Sequence, residues 1–291
     1  MVGLLKAQGP LKATEAAPGA HWISGAGANV LLVAGPNECV LVDSGAAAHS
    51  LELGTLVSKL ANGKPVAAVF NTCFDEDATG GNAVFHRAGA KIIAHDNTKQ
   101  WMANEWDCDW RNRRILPRKA EDLPTETFFD AAGTKTLTLK LAGEEFQYGT
   151  LPFAHTDGDI YVYAKRANIL MGGGVVAPRS YPVLDYTTGG WIGGLRDAFK
   201  TLTGIVNAQT KVIGATGPMV GKGELDAEGK MVAAMYQKIV GFLKQGYGAT
   251  DMIAAKPTAE FDAIYGDPTL FMKNIYPGVW AHAREMGAGV V

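Results

Sequence analysis

A short acidic segment of the chain places three potential metal ligands at alternate positions. Cys73, Asp75 and Asp77 lie within NTCFDEDATGGN, residues 71–82. In extended backbone, residues two apart point to the same side, so these side chains can face one centre. Thiolate and carboxylate are both ligands that zinc accepts. Acidic residues ahead of a helix can also serve only to cap it and to meet solvent. The segment alone leaves both interpretations open.

Hydrophobic patterns predict the elements that position this segment. The continuous apolar run at 66–70 predicts a buried strand directly before it, and 80–89 predicts a short helix directly after it. Other elements predicted before residue 105 are strands at 21–23, 29–33, 39–43 and 91–94 and helices at 48–61 and 96–104. This alternation predicts helices packed on a sheet. The first twenty residues, rich in Ala, Gly and Pro, are predicted to be irregular.

After residue 104 the pattern changes. Residues 105–127 hold two tryptophans and four arginines, and they predict a surface loop or a broken helix whose arginines could meet an anionic substrate. The elements predicted after this loop are strands at 136–141, 145–148, 159–164, 168–171 and 211–214 and a helix at 191–206. From Glu224 onward the chain is predicted to be helical, with breaks at Pro257 and Pro268.

The composition excludes several classes of partner. The chain has 291 residues, a formal net charge of −2 and a pI near 6.3, whereas a nucleic-acid-binding protein needs a basic face. No apolar run approaches the roughly 18 residues of a transmembrane helix. Three cysteines are too few, and odd in number, for a disulfide framework. We therefore expect a small-molecule substrate, with neither nucleic acid nor membrane as a partner.

The cellular compartment and the oligomeric state stay open. The sequence as given begins without a signal peptide, which predicts a cytoplasmic protein. Removal of an export signal would leave the same sequence, and the protein would then be periplasmic. A homo-oligomer and a complex with a paralogue are both compatible with the sequence.

Five blocks, in order, resemble the metallo-β-lactamase fold superfamily. NTCFDEDATGGN is similar to the family's NTHxHxDHxGGN loop. The blocks at 29–45, 89–95, 154–159 and 213–218 are similar to its opening hairpin, the strand after the loop, its AHTxGD motif and its closing IPGHGP motif. The resemblance implies an α+β protein, a four-layer αββα sandwich over 21–220 with the site at the sheet edge. A C-terminal helical extension, 221–291, would pack on the same domain.

Residue by residue, the resemblance carries over only part of the family's metal site. Where the family binds its first metal with three histidines, this chain has Cys73, Asp75 and His155. The positions that bind the second metal are occupied by Asp77, Ala78, Gly174 and Thr216. Alanine and glycine have no ligand atom, so we expect one Zn or Fe ion at most and no second metal. Hydrolysis of β-lactams is not expected, because the second metal assists the leaving nitrogen.

Three functions follow from these residues. One ion on Cys73, Asp75 and His155, with Asp77 nearby, would make a hydrolase or lyase, and the resemblance implies a small ester, lactone or amide as substrate. Without an ion, Cys73 and His155 beside an aspartate have the arrangement of a thiol hydrolase. With neither chemistry, the chain is a non-catalytic pseudoenzyme or the partner subunit of an active paralogue.

Four further residues are candidates for the pocket. His95 follows the 91–94 strand and could support the acidic loop through a hydrogen bond. The resemblance places Tyr181, Asp185 and Trp191 at the mouth of the pocket, where substrate contact and core packing are both expected roles. The two aspartates of the HTDGD motif, at positions 157 and 159, are expected to fix the turn around His155.

Overall fold

The computed structural model describes residues 10–282, and its first half forms one large sheet and a small hairpin. The strands are β1 (Lys12–Ala17), β2 (Ala20–Ser24), β3 (Val30–Ala34), β4 (Cys39–Val42), β5 (Val66–Phe70), β6 (Lys91–His95), β7 (Trp106–Cys108), β8 (Arg113–Ile115) and β9 (Glu126–Phe128). Strands β1 to β6 and then β9 form the sheet in that order. Pairing is antiparallel from β1 to β4 and parallel from β4 to β9. Strands β7 and β8 pair only with each other.

A second sheet follows in chain order. Its strands are β10 (Leu137–Leu141), β11 (Glu144–Thr150), β12 (Ile160–Ala164), β13 (Ile169–Gly173), β14 (Lys211–Gly214) and β15 (Val220–Gly221). Only β13 and β14 are parallel, and the helix between them makes the crossover that parallel strands need.

The helices lie before, between and after these strands. They are α1 (Ser50–Leu60), α2 (Glu76–Thr79), α3 (Asn82–Arg87), α4 (Asp96–Ala103), α5 (Ile192–Ile205), α6 (Lys222–Lys244), α7 (Ala249–Ala254), α8 (Asp262–Tyr265) and α9 (Thr269–Ala281). Within residues 10–282, none of them combines the length and the apolar character needed to cross a bilayer.

The two sheets pack face to face, and helices cover both outer faces. Phe70 of the first sheet meets Phe146 of the second, with ring centroids 5.8 Å apart, in the core between the sheets. Leu53 of α1 and Ile92 of β6 share the core under the first helical layer. Phe199 of α5 is buried in the third core, under the second helical layer. The four-layer αββα sandwich predicted from the sequence is therefore confirmed, with helices at the C-terminal end.

The N-terminal prediction needs a correction. Residues 12–17 are not irregular, because β1 pairs with β2 at the edge of the first sheet. Only Ala16 of β1 is buried, so this edge strand has no clear hydrophobic alternation that the sequence could show. Residues 1–9 of the predicted irregular segment lie outside the described residues, as do residues 283–291 of the predicted extension.

The helical extension begins at Lys222, and its described part shares one core with α5. Met235 and Ile239 of α6, Phe271 and Ile275 of α9 and Phe199 of α5 belong to the same buried cluster. The predicted loop at 105–127 instead contains the β7–β8 hairpin, short 3₁₀ turns and strand β9.

Candidate functional site

A buried carboxyl at the end of β4 fixes the first turn of the loop after β5. Asp43, at the end of β4, accepts hydrogen bonds from the backbone N–H and the hydroxyl of Thr72, at 2.8 and 2.7 Å. Asp43 has a positive φ of 60°, a conformation that aspartate tolerates better than most residues. Burial raises its pKa to about 7, although both hydrogen bonds from Thr72 oppose that rise. The contact ties the ends of β4 and β5 together directly below the candidate site.

Two glycines let the rest of the loop pack closely. A Cβ at Gly80 would lie 2.3 Å from the backbone nitrogen of Ala47, and one at Gly81 would lie 2.2 Å from the carbonyl oxygen of Ser44. Asn82 then exchanges hydrogen bonds with Asn71 across the loop, at 2.8 and 3.0 Å. The GGN end of the motif therefore closes the loop by backbone packing.

Cys73 and His155 come from different sheets and meet in the interior. Cys73 follows β5 of the first sheet, while His155 lies between β11 and β12 of the second. Together with Asp159 they have ligand atoms that all lie within 4.8 Å of one another. Among residues 10–282 this is the one group of three or more His, Cys, Asp or Glu side chains with such spacing. The set of ligands predicted from the sequence is thus brought together only in part, since the group contains Asp159 and not Asp75, although Oδ2 of Asp75 lies 3.4 Å from Nε2 of His155. All three residues are buried.

Carboxylates flank both nitrogens of the His155 ring. Nδ1 lies 3.3 Å from Oδ1 of Asp159, and Nε2 lies 3.4 Å from Oδ2 of Asp75. Oδ2 of Asp159 also accepts the backbone N–H groups of His155 and Thr156, both at 2.7 Å. The expectation that Asp159 fixes this turn is confirmed. Because hydrogen bonds already occupy its oxygens, Asp159 orients the imidazole and leaves Nε2 to face Asp75.

The charges around Cys73 and His155 shift the pKa values of both in the same direction. Burial raises the pKa of the Cys73 thiol well above its usual range, and Asp75, Asp43 and Asp159 raise it further. Burial alone would lower the pKa of His155, but Asp159 and Asp75 together raise it to about 9. Without a bound ion, the pair at neutral pH is therefore a thiol beside an imidazolium.

Arg111 enters this site from the predicted loop. One nitrogen of its guanidinium lies 3.1 Å from Oδ1 of Asp75. The guanidinium also lies over the ring of Trp110, with its central carbon 4.5 Å from the ring centroid. Burial and the charge of Asp75 together raise the pKa of Asp77 to about 6, although Arg111 opposes the rise. Asp75 thus lies between two cationic groups, Arg111 and His155.

The positions of the family's second metal offer no matching set of donors. Ala78 is buried in a small apolar cluster, and Thr216 is exposed to solvent. A Cβ at Gly174 would lie 2.5 Å from Nδ1 of His155, so no side chain fits there while the imidazole keeps its position. The residues present do not fit a second ion.

Of the four predicted pocket residues, Asp185 lies near the site, whereas His95, Tyr181 and Trp191 pack against other parts of the protein. The Asp185 side chain is buried, and its pKa is raised by that burial and by Asp75 nearby. His95 packs on two phenylalanines, and its Nδ1 accepts the N–H of Asn97. Tyr181 donates to Oδ1 of Asp262 at 2.7 Å. Trp191 stacks on His282, with centroids 4.6 Å apart.

The space beside the site is small in this conformation. The cavity lined by Asp75, Arg111 and Phe74 measures about 10 Å³, which is room for about one water molecule. A larger cavity of about 220 Å³ is lined by Phe153, Trp191 and their neighbours, and neither Cys73 nor His155 borders it. Cys73 itself is only 1% exposed, so a substrate does not reach its thiol in this conformation.

Comparison with known proteins agrees with this fold. A model of the metallo-beta-lactamase superfamily matches residues 24–213, which is more than half of the chain. The solved structure of a metallo-beta-lactamase from Pontibacter korlensis is similar, with 19% identity and a TM-score of 0.61 over 77% of this chain and 99% of that one. The metallo-beta-lactamase DIM-1, solved after exposure to ceftazidime, is 16% identical with a TM-score of 0.60 over 78% of this chain and 98% of that one.

TMB-1 is similar to the same extent, with 14% identity and a TM-score of 0.60, covering 77% of this chain and 98% of that one. Identities this low show a shared fold and say nothing of substrate. The family match covers the loop after β5, the His155 turn and strand β14, which are the segments that build the site. The chain belongs to the metallo-beta-lactamase superfamily.

Proposed function

We propose that this protein is a hydrolase-like member of the superfamily that binds a single Zn or Fe ion through Cys73, Asp75 and His155. Its substrate would be a small molecule with an ester, lactone or amide bond. The observation that carries the proposal is the position of His155, whose Nε2 faces Asp75 while Asp159 holds the opposite nitrogen. A ligating histidine is commonly oriented by a carboxylate on its second nitrogen.

The chemistry of the donors supports one ion. Thiolate, carboxylate and imidazole are all zinc ligands, and three protein ligands leave a fourth position for water or substrate. An ion bound there would polarise a carbonyl group and lower the pKa of a bound water. Cys73 and His155 must both lose a proton to ligate, so binding should weaken as the pH falls.

Substrate entry would depend on the loop that carries Arg111. Its guanidinium holds Oδ1 of Asp75, and the adjacent cavity admits about one water molecule. Displacement of this loop would expose Asp75 and leave the guanidinium beside the opening. An anionic group on the substrate would then find a cationic partner there.

A non-catalytic role is the second candidate, and the closure of the site favours it. Arg111 and protonated His155 already balance charge on Asp75 and Asp159 without an ion. Such a protein would act as a binding protein or as the partner subunit of an active paralogue. The thiol hydrolase receives less support, because the raised pKa of Cys73 keeps it a thiol, which is a poor nucleophile.

Metal analysis separates these functions. Protein purified without chelator and without a metal-affinity column should contain about one equivalent of Zn or Fe. Cys73→Ala should lose that ion, whereas Cys39→Ala, a control at another buried cysteine, should keep it. Turnover of chromogenic esters and lactones that disappears with the ion supports the hydrolase. Absence of metal from the wild-type protein overturns the one-ion proposal and leaves the non-catalytic role.

A further inference from the structure

Asp77 stands at a position of the family's second metal ion, and Asp75, two residues before it, stands at a position of the first. Both aspartates belong to the loop after β5, and the charge of Asp75 disfavours the charged form of Asp77. Asp185 adds a third buried carboxyl that feels Asp75. Positive charge nearby would stabilise the charged forms of these three carboxyl groups. Ala78 and Gly174, at two positions of the second metal, have no side-chain atom that could bind an ion.

Arg111 supplies a positive charge at this place. Its NH2 contacts Oδ1 of Asp75 at 3.1 Å, and Asp77 and Asp185 both act on it electrostatically. Its side chain is only 23% exposed, so solvent screens these interactions weakly. The Trp110 ring supports the planar guanidinium, an arrangement that a lysine cannot reproduce.

The loop that delivers Arg111 is anchored to the acidic segment itself. Arg113 pairs with Glu76 at 2.6 Å, and Arg118 donates to the hydroxyl of Thr79 and to the carbonyl of Phe74. The β7–β8 hairpin sets the spacing between these anchors. Arg111 is therefore held over Asp75 by contacts of two arginines that follow it in the sequence.

We infer that the Arg111 guanidinium is a resident cation that takes the place of the family's second metal ion. It contacts Asp75 directly and acts electrostatically on Asp77 and Asp185, with no need for a bound ion at that position. The inference goes beyond the proposed function and shares Asp75 with it, because the carboxylate that Arg111 contacts is also one of the ligands proposed for the single ion.

Calcium is a suitable probe, because it takes oxygen ligands in flexible geometries and does not compete for a thiolate and imidazole site. In Arg111→Met, millimolar Ca²⁺ should raise the midpoint of thermal unfolding by roughly 4 °C or more. Wild type and Arg111→Lys, which keeps a positive charge, should show little response. Arg114→Met is the matched control, since it removes an exposed arginine of the same loop that pairs with Glu105 and not with the acidic segment, and it too should not respond.

Several outcomes decide the matter. If Arg111 had only a packing role, Arg111→Met would be less stable but would respond to Ca²⁺ no more than Arg114→Met, and that result overturns the inference. A response of Arg111→Lys as large as that of Arg111→Met also overturns it. If Arg111→Met does not fold unaided, refolding that succeeds with Ca²⁺ and fails without it supports the inference, while failure in both conditions contradicts it. In Cys73→Ala/Arg111→Met the Ca²⁺ response should persist, so loss of the Zn or Fe site remains a separate result.

Discussion

Nε2 of His155 lies 3.4 Å from Oδ2 of Asp75, although the two residues come from different sheets of the sandwich. Asp75 follows a strand of the first sheet, and His155 precedes a strand of the second. The contact therefore exists only when the two sheets are packed together. Asp159 holds the other side of the ring, so the position of His155 is determined from both sides.

Asp159→Asn should lower the pKa of His155. The wild-type pKa of about 9 arises because the charge and hydrogen bond of Asp159, together with the charge of Asp75, outweigh the effect of burial, which alone would lower the pKa. The asparagine keeps the size of the side chain but removes its charge, so the imidazole should titrate at a clearly lower pH. NMR titration of the imidazole resonances in the presence of chelator measures this shift.

The matched control is Asp157→Asn, in the same turn, where the carboxylate accepts from Trp101 Nε1 at 2.7 Å. This change should move the pKa of His155 much less. Equal shifts in the two variants would show that the total negative charge of the turn, rather than the contact with Asp159, determines the pKa of His155.

Gly174→Ala should destabilise the fold through a clash with His155. The added Cβ would lie 2.5 Å from Nδ1 of the imidazole, so the ring or the backbone must shift. We expect a loss of about 1–3 kcal/mol in the free energy of unfolding, measured by urea denaturation.

Gly204→Ala is the control for this change. Position 204 lies in α5 with no atom within 4 Å of an added Cβ, so alanine should stabilise the helix by roughly 0.5–1 kcal/mol. If Gly174→Ala were as stable as wild type, position 174 would have room for a ligand side chain, and the argument against a second ion would lose its steric part.

Glu228→Gln should flatten the pH dependence of stability. Burial raises the pKa of Glu228 on α6 to about 8 from 4.5, while the N–H of Ala177, 2.8 Å away, opposes the rise. A group whose pKa is raised on folding stabilises the protein fully below its unfolded pKa and loses that contribution as the pH rises toward 8. As the pH rises from 4.5 to about 8, the free energy of unfolding of Glu228→Gln should increase relative to that of wild type by up to ~4 kcal/mol.

Urea denaturation at several pH values between 4 and 9 measures this difference. Glu224→Gln, at an exposed position on the same helix, should follow the wild-type curve. Parallel curves for wild type and Glu228→Gln would mean that the carboxyl at position 228 reaches water in the folded protein.

The sequence predicts most of the fold, because each strand and helix has its own hydrophobic pattern. The run at 66–70 coincides with β5, and residues 191–206 contain α5 (Ile192–Ile205). Strand β1 was missed, since alanine-rich edge strands bury little and leave no clear alternation. The proximity of Cys73 and His155 followed from the resemblance to the family, in which these two positions bind the same metal ion.

The charge arrangement of the site was harder to predict. Arg111 is 36 residues from Asp75, in a loop without periodicity, so no pattern links the two residues. The sequence predicted that the arginines of this loop could meet an anionic substrate, whereas Arg111 contacts Asp75 of the protein's own site. For His155, the four-residue spacing to Asp159 was the available signal for its orienting partner.

The central claim is that this site binds one metal ion at most, because the second position has lost its ligands and holds a guanidinium nearby. Anomalous diffraction from crystals of metal-loaded protein, recorded at the zinc and iron edges, tests it most directly. The account predicts a single anomalous peak, between Cys73 and His155, and none beside Asp77. Two peaks bridged within the site would contradict it.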